Sequence, residues 1–203
     1  MILFDLDGVL VDSRPVIEEI WRAWAAPRGL DAARFIRVAH GRRTSETLRE
    51  VAPDLDIARE TALLDAMEET ATDGLAAIPG AVSLLASLDP SDWAIVTSGS
   101  RAVATLRLKT AGLPLPRVMV TGDEVRIGKP DPTPYLLGAE RTGVAPAHCL
   151  VVEDAPAGVA AGKAAGMRVV AVTTTHTAES LSEADVILAG LSELRAYLGR
   201  GAS

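Results

Sequence analysis

Two aspartates near the start of the chain, Asp5 and Asp7, are the residues whose type and spacing most directly indicate chemistry. They follow the apolar run Met1–Phe4, which predicts a buried strand that ends at the acids. Residues two apart on an extended backbone point to the same side, so both carboxylates would face one place. Such a pair is costly unless a cation or a shared proton relieves it. The pair therefore predicts a metal site with a nucleophile, and a solvated acidic turn is the alternative.

Small and hydroxyl-bearing residues follow a second predicted strand, which runs over Trp93–Thr97. The segment Thr97-Ser98-Gly99-Ser100 then opens a predicted helix. Backbone amides at such a position, together with the positive end of the helix dipole, favour an anion. A plain helix N-cap formed by Ser100 is the simpler interpretation, and the two are compatible.

Lys129 stands between Gly128 and Pro130 in a chain that has three lysines and seventeen arginines. Because the chain otherwise uses arginine, this lysine is less expected to be an ordinary exposed surface residue. Its compact ammonium group suits a contact with a phosphate oxygen or a carboxylate. A solvated turn lysine is the alternative.

Glu153 and Asp154 come directly after a third predicted strand, Leu150–Val152. Because the carboxyl ends of parallel strands meet at one edge of a sheet, we expect these acids to lie near Asp5 and Asp7. An all-oxygen ligand set beside a phosphate indicates Mg²⁺. The three histidines have no Cys or His at ligand spacing, so zinc is not supported.

These four segments, in this order, resemble the signature of the haloacid dehalogenase-like phosphohydrolases. The resemblance implies that Asp5 accepts the phosphoryl group and that Asp7 is the general acid and base. It implies phosphoryl binding by Ser98 with the Gly99 amide, or by Thr97, since the register is ambiguous by one residue.

The same resemblance implies that Lys129 neutralises the nucleophile and the phosphate. It implies Mg²⁺ binding by Asp5, Asp154 and the backbone carbonyl of Asp7, with Glu153 as an indirect or occasional ligand. The reaction would pass through an aspartyl phosphate.

The arrangement of elements fits this family. From about Asp12 to Ile78 the chain predicts helices without strands, and from Pro79 onward strands alternate with helices. We therefore predict an α/β fold: a Rossmann-like parallel sheet with helices on both faces and a small all-helical cap inserted after the first strand. The predicted division is a core of residues 1–12 and 79–203 and a cap of residues 13–78. Within them we predict helices at 15–26, 34–38, 45–51, 57–72, 81–88, 101–111, 134–142, 157–165 and 191–198, and later strands at 93–97, 118–120, 150–152, 168–172 and 185–188.

Composition narrows the class of function. The 203 residues are 48% apolar with a formal net charge of −7 and 3% aromatics, which argues against a nucleic-acid binder. No apolar run reaches the roughly 18 residues of a membrane span, and no basic segment precedes the first apolar stretch. Cys149 is the only cysteine, so no internal disulfide forms. We expect a cytoplasmic enzyme. Its partner is expected to be a small phosphate ester, and its oligomeric state is left open between a monomer and a weak homodimer.

The helical insert is expected to determine which substrate is bound. Its segment His40-Gly41-Arg42-Arg43 is similar to the cap loop of phosphatases acting on 2-deoxyglucose 6-phosphate or glycerol phosphate. His40, Arg42 and Arg43 are therefore the candidate substrate-binding residues, and a solvated helix start is the alternative. The resemblance predicts a Mg²⁺-dependent phosphatase of small sugar or polyol phosphates.

Other activities of the same family are the alternatives: a phosphotransferase like β-phosphoglucomutase, or a phosphoglycolate phosphatase. The mutase subgroup has a histidine in the first cap helix, where this chain has Ile17. A non-enzymatic binding protein that kept the fold is the more distant alternative.

Overall fold

A six-stranded parallel sheet forms the centre of the computed structural model, which describes residues 1–39 and 41–199. The strands in chain order are Ile2–Phe4 (β1), Val11–Asp12 (β2), Ala76–Ala77 (β3), Trp93–Val96 (β4), Met119–Val120 (β5), Leu150–Glu153 (β6), Arg168–Val172 (β7) and Val186–Leu188 (β8). The sheet has the order β5-β4-β1-β6-β7-β8, and β2 pairs with β3 in a separate antiparallel ribbon. β1 lies between β4 and β6, where the strand order reverses, which is the usual ligand position in open α/β sheets.

Helices cover both faces of the sheet because its strands are apolar on both sides. Ile2 and Phe4 point into one buried cluster, and Leu3 points into the other. The helices in chain order are Arg14–Ala25 (α1), Ala32–Ala39 (α2), Thr44–Val51 (α3), Ile57–Glu68 (α4), Ala81–Ala86 (α5), Arg101–Thr110 (α6), Thr133–Thr142 (α7), Pro156–Ala164 (α8) and Leu191–Gly199 (α9). The predicted α/β class and parallel sheet are confirmed.

The helices α1 to α4 share a buried cluster of their own. Trp21 stacks on Phe35 with ring centroids 5.3 Å apart, and Trp24 meets both rings edge-on. The indole Nε1 of Trp24 donates to the buried carboxylate of Glu60 at 2.8 Å, and Arg28 pairs with the same oxygen at 2.6 Å. A polar indole can therefore be buried here without an unsatisfied donor.

One prediction for this insert is wrong. The segment expected to lack strands begins and ends in the β2–β3 ribbon, where Val11 pairs with Ala77 and Asp12 with Ala76. Strands of two residues are too short to show a period in the sequence, and only their pairing defines them. The helix predicted to continue to Thr72 ends at Glu68.

The remaining predicted elements lie within a few residues of those observed, and β7 matches its prediction at both ends. β4 ends at Val96, so Thr97 is the first residue beyond the sheet. Among the described residues, no helix combines the length and apolar character needed to cross a bilayer.

Candidate active site

Asp5 lies at the carboxyl end of β1, almost fully buried, with its amide donating to Val152 O at 2.9 Å. The chain then turns through Gly8, whose φ of +79° is one that residues with a side chain rarely adopt. A Cβ at Gly8 would lie 2.0 Å from Oδ2 of Asp154. Glycine therefore allows the backbone after Asp5 to pass directly beside the acid that follows β6.

Lys129 joins the strand ends through three contacts, and its side chain is fully buried. Its Nζ donates to Asp5 Oδ1 at 2.7 Å, to Glu153 Oε1 at 2.7 Å and to Val96 O at 3.0 Å. All three donors of the ammonium group are thus satisfied, which a buried charge requires. The sequence interpretation of Lys129 as a solvated turn residue is excluded by this burial.

Glu153 is fully buried and both of its carboxylate oxygens accept hydrogen bonds. Oε1 accepts from Lys129 and from the Tyr135 hydroxyl at 2.8 Å, and Oε2 accepts from the amide of Asp154 at 3.0 Å. A Cβ at Gly158 would lie 1.7 Å from Oε1, so the first turn of α8 leaves space for this carboxylate. Glu153 therefore holds Lys129 in place, while Tyr135 is a site residue that the sequence did not identify.

Asp5, Glu153 and Asp154 each present a carboxylate oxygen such that the three lie within 4.8 Å of one another. Oδ1 of Asp154 is buried and has no hydrogen-bond partner among the described residues, whereas its Oδ2 accepts from Thr175. A buried carboxylate oxygen without a partner is costly, and a bound cation would satisfy it. The oxygen-only donor set fits Mg²⁺.

Burial dominates the electrostatics of this cluster. It raises the pKa of Asp5 to about 7, although attraction by Lys129 opposes the shift. Burial also raises the pKa of Asp154 well above its usual range, and the neighbouring charges of Glu153 and Asp5 add to the effect. For Lys129 burial acts to lower the pKa, but attraction by Asp5 and Glu153 outweighs it and the net shift is upward. A cation would favour the ionised carboxylates.

The hydroxyl residues after β4 have separate contacts. Thr97 is buried, and its Oγ1 accepts from the Gly99 amide at 3.2 Å. The Ser98 hydroxyl donates to Gly41 O at 3.0 Å, so it contacts the insert. Ser100 accepts from the amide of Val103 at 3.3 Å and caps α6, as the simpler sequence interpretation predicted.

Arg107 on α6 is a second residue that the sequence did not identify. Its guanidinium is buried between two carboxylates: Nη1 donates to Asp7 Oδ2 at 2.7 Å and Nη2 donates to Glu68 Oε2 at 2.6 Å. Glu68 is the last residue of α4, so this arginine links the insert to the first strand end. Burial raises the pKa of Glu68, with attraction by Arg107 opposing the shift.

The two candidate arginines of the insert have different surroundings. Arg42 pairs with Glu50 and lines the cavity beside Asp5. Arg43 instead donates to Glu46 Oε1 at 2.9 and 2.5 Å and to the carbonyls of Val125 at 2.8 Å and Arg126 at 2.9 Å. These contacts join the insert to the loop ahead of Lys129. His40, the third candidate, lies outside the described residues.

A cavity of about 50 Å³ separates the strand ends from the insert. Its sheet side includes Asp5, Asp7 and Thr97, and its insert side includes Thr47 and residues of α1, among them Ile17, Trp21 and Arg14. Thr47 is fully buried, and its hydroxyl has no hydrogen-bond partner in the described part of the chain. The cavity thus has carboxylates on its sheet side, which could accept an anionic group only with a bound cation, and both polar and apolar side chains on its insert side.

Two curated relatives cover most of this chain. Hexitol phosphatase A of Escherichia coli strain K12 is 47% identical over 197 residues, which are 95% of this chain and 91% of that protein. Glycerol-1-phosphate phosphohydrolase 2 of Saccharomyces cerevisiae is 34% identical over 207 residues, covering 95% of this chain and 83% of the relative.

A solved structure, that of a hydrolase from Pseudomonas syringae, superposes with a TM-score of 0.88 at 28% identity. The superposition covers 100% of this chain and 99% of that one, so it includes both the sheet and the helical insert. Residues 1–166 also match the sequence model of the haloacid dehalogenase-like hydrolases. With these matches, and with the four segments identified in the sequence gathered around Asp5, the chain belongs to the haloacid dehalogenase-like hydrolase family.

Proposed function

We propose that the chain is a Mg²⁺-dependent phosphatase that hydrolyses small phosphorylated sugars or polyols through an aspartyl phosphate on Asp5. The observation that carries the proposal is the buried contact of Asp5 with Lys129, close to the unpartnered carboxylate oxygen of Asp154, while Asp5 itself lines the cavity. A carboxylate nucleophile divides a very slow hydrolysis into two easier displacements. Lys129 would keep this nucleophile in place and offset the negative charge that collects around it.

In the first displacement an Asp5 oxygen forms a bond to phosphorus while the bond between phosphorus and the substrate oxygen breaks. Asp7 gives a proton to the departing alcohol. In the second, Asp7 takes a proton from water, the water oxygen bonds to phosphorus, and the bond to Asp5 breaks. Bound Mg²⁺, held by Asp5, Asp154 and the Asp7 carbonyl, would supply positive charge to the phosphoryl oxygens.

For the phosphoryl group we propose Thr97, with backbone amides of the segment Thr97–Gly99, as the binding hydroxyl. Thr97 accepts a hydrogen bond through its oxygen, so its own proton remains available to a phosphoryl oxygen. The Ser98 proton, in contrast, is donated to Gly41 O. Of the two hydroxyls that the sequence pattern leaves open, we therefore propose Thr97.

Residues 13–78 are proposed to act as the cap over residues 1–12 and 79–203. The separate cluster of aromatic side chains among α1 to α4 supports a unit that packs within itself. Selectivity would then come from the cap side of the cavity, because the residues at the strand ends are proposed to bind the phosphoryl group alone. Thr47 and Arg42 are among the polar groups on that side, and we propose that they meet substrate hydroxyls.

The proposed substrates are hexitol and glycerol phosphates, in keeping with the names of the two relatives. A mutase is less favoured, since Ile17 lines the cavity and offers no hydrogen bond there. A panel of phosphate esters tests the choice by phosphate release with Mg²⁺ and with EDTA. We expect the highest kcat/KM on hexitol and glycerol phosphates, a lower value on phosphoglycolate, and none in EDTA. Preference for phosphoglycolate, or interconversion of glucose phosphates faster than phosphate release, would contradict the proposal.

Replacing Arg42 with alanine is expected to reduce selectivity and leave the phosphoryl chemistry intact. Loss of a charge-assisted hydrogen bond to a sugar hydroxyl should lower kcat/KM on the preferred polyol phosphate by roughly 10–100-fold. Hydrolysis of 4-nitrophenyl phosphate, which has no hydroxyls to bind, should change little.

Arg43→Ala is the matched comparison, because Arg43 contacts core carbonyls and does not line the cavity. It should lower kcat/KM on both substrates by similar factors. If Arg42→Ala lowered both equally, Arg42 would support the fold or the phosphoryl site instead of selectivity.

A further inference from the structure

Arg107 is a buried charged residue at a helix position where an apolar side chain would be expected. On α6 it follows the buried residues Val103 and Ala104 at helical spacing and precedes the buried Leu108. Its side chain is 5% exposed, and its two terminal nitrogens contact Asp7 and Glu68. A buried ion group of this kind is often no more stabilising than apolar packing. Stability alone is therefore a weak explanation for it.

The geometry of the Arg107 guanidinium gives a better explanation for its burial. Its planar fork presents two nitrogens in fixed directions, so it defines where each carboxylate lies. Nη1 holds Oδ2 of Asp7 at 2.7 Å. The other oxygen of Asp7, Oδ1, is buried without a hydrogen-bond partner among the described residues, and Asp7 lines the cavity. Arg107 thus fixes one oxygen of Asp7 and leaves the other available for proton exchange.

Glu68 holds the arginine from the opposite side. Its carboxylate accepts from Nη2 at 2.6 Å and is itself largely buried, with its side chain 14% exposed. Since Glu68 ends α4, the orientation of Arg107 depends on the position of the insert. Moving α4 away would remove one of the two anchors of the guanidinium.

We propose that Arg107 is a positioning residue that orients Asp7 for proton transfer to the leaving alcohol, and that Glu68 makes this orientation depend on the position of the insert. The proposal rests on the proposed function, in which Asp7 is the general acid. A misdirected acid matters most when the leaving group is a strongly basic alkoxide, and least when it departs without a proton.

A series of three phosphate esters of similar shape tests this: 4-nitrophenyl, phenyl and benzyl phosphate, in order of increasing leaving-group basicity. For Arg107→Met we expect kcat/KM to fall about 100-fold on benzyl phosphate, which is the typical cost of displacing a catalytic group by about 1 Å. On 4-nitrophenyl phosphate we expect kcat/KM to fall less than about threefold. Arg107→Lys, which keeps the charge but loses the fork, should lie between. The ratio of two substrates in one preparation does not depend on how much of the protein is folded.

Arg101→Met is the control, because Arg101 lies on the same helix and pairs with Glu124 and with Met119 O, away from Asp7 and from the insert. It should lower all three values by one factor. Equal losses on all three esters in Arg107→Met would overturn the inference and leave the proposed function standing. A wild-type chain that hydrolyses no phosphate ester would overturn the proposed function, and the inference with it.

A double-mutant cycle tests the part played by Glu68. Glu68→Ala should change the benzyl to 4-nitrophenyl ratio in the same direction as Arg107→Met, by a smaller factor. Adding it to Arg107→Met should change the ratio no further, since Glu68 acts through the arginine. Independent, multiplying effects of the two substitutions would overturn the role of Glu68.

Discussion

Replacing Asp5 with asparagine is expected to abolish turnover of every phosphate ester while leaving the protein folded. An amide has nearly the shape of the carboxylate but cannot form the covalent intermediate. We expect kcat/KM to fall by at least about 10⁴-fold, because removal of a catalytic nucleophile typically lowers activity by this factor or more. The fold should persist because Lys129 still donates to Glu153 and to Val96 O. Removing one of three clustered buried acids also relieves their mutual repulsion.

Phosphate release and thermal unfolding together check this result. Asp185→Asn is the control, since Asp185 pairs with Lys163 and accepts from the amide of Val169, at the amino-terminal end of β7 and thus at the opposite edge of the sheet from the site. It should leave kcat/KM unchanged. Undiminished activity in Asp5→Asn with normal unfolding would end the covalent mechanism.

Replacing Lys129 with methionine is expected to cost both stability and activity. The substitution removes the cation that two buried carboxylates, Asp5 and Glu153, share at 2.7 Å each. Breaking a buried ion pair by removing one partner typically lowers the free energy of unfolding by about 3–5 kcal/mol. Activity should fall as well, because Asp5 loses its fixed orientation and the charge that balances the phosphoryl group.

Lys163→Met provides a matched comparison. Lys163 pairs with Asp185 on the surface, where ion pairs contribute about 0–1 kcal/mol. Urea unfolding in EDTA measures both variants without interference from bound metal. If the Lys129→Met protein were as stable as the wild type, the buried carboxylates of Asp5 and Glu153 would not form ion pairs with Lys129 in solution.

The sequence predicted those features that depend on local pattern. Strands that are apolar on both faces, alternating with helices, indicate a parallel sheet. Polar residues placed directly after such strands must then meet at one edge. This is why Asp5, Glu153 and Asp154 could be placed together from the sequence, and the structure brings their carboxylate oxygens within 4.8 Å of one another. Lys129 does not follow a strand directly, and the scarcity of lysine in the composition and the family resemblance pointed to it; its ammonium group contacts Asp5 and Glu153.

Partners that meet only through packing could not be predicted in this way. Arg107 and Asp7 are 100 residues apart in the chain, and Tyr135 reaches Glu153 from the buried face of another helix. One signal was available: an arginine that follows Val103 and Ala104 at helical spacing, within the apolar stripe of α6. Arg43 was expected near the substrate, but the path of its loop past Val125 depends on how the insert packs on the core.

Trapping the phosphoryl group during the first turnover tests the central claim most directly. Excess enzyme is mixed with a hexitol 6-phosphate labelled with ³²P in the presence of Mg²⁺, and samples are quenched in acid over time. The account predicts label that rises and then falls on the peptide containing Asp5, with the fall matching the release of phosphate. Asp5→Asn should carry none. Release of phosphate with the transient label on a different residue, or with no transient at all, would contradict it.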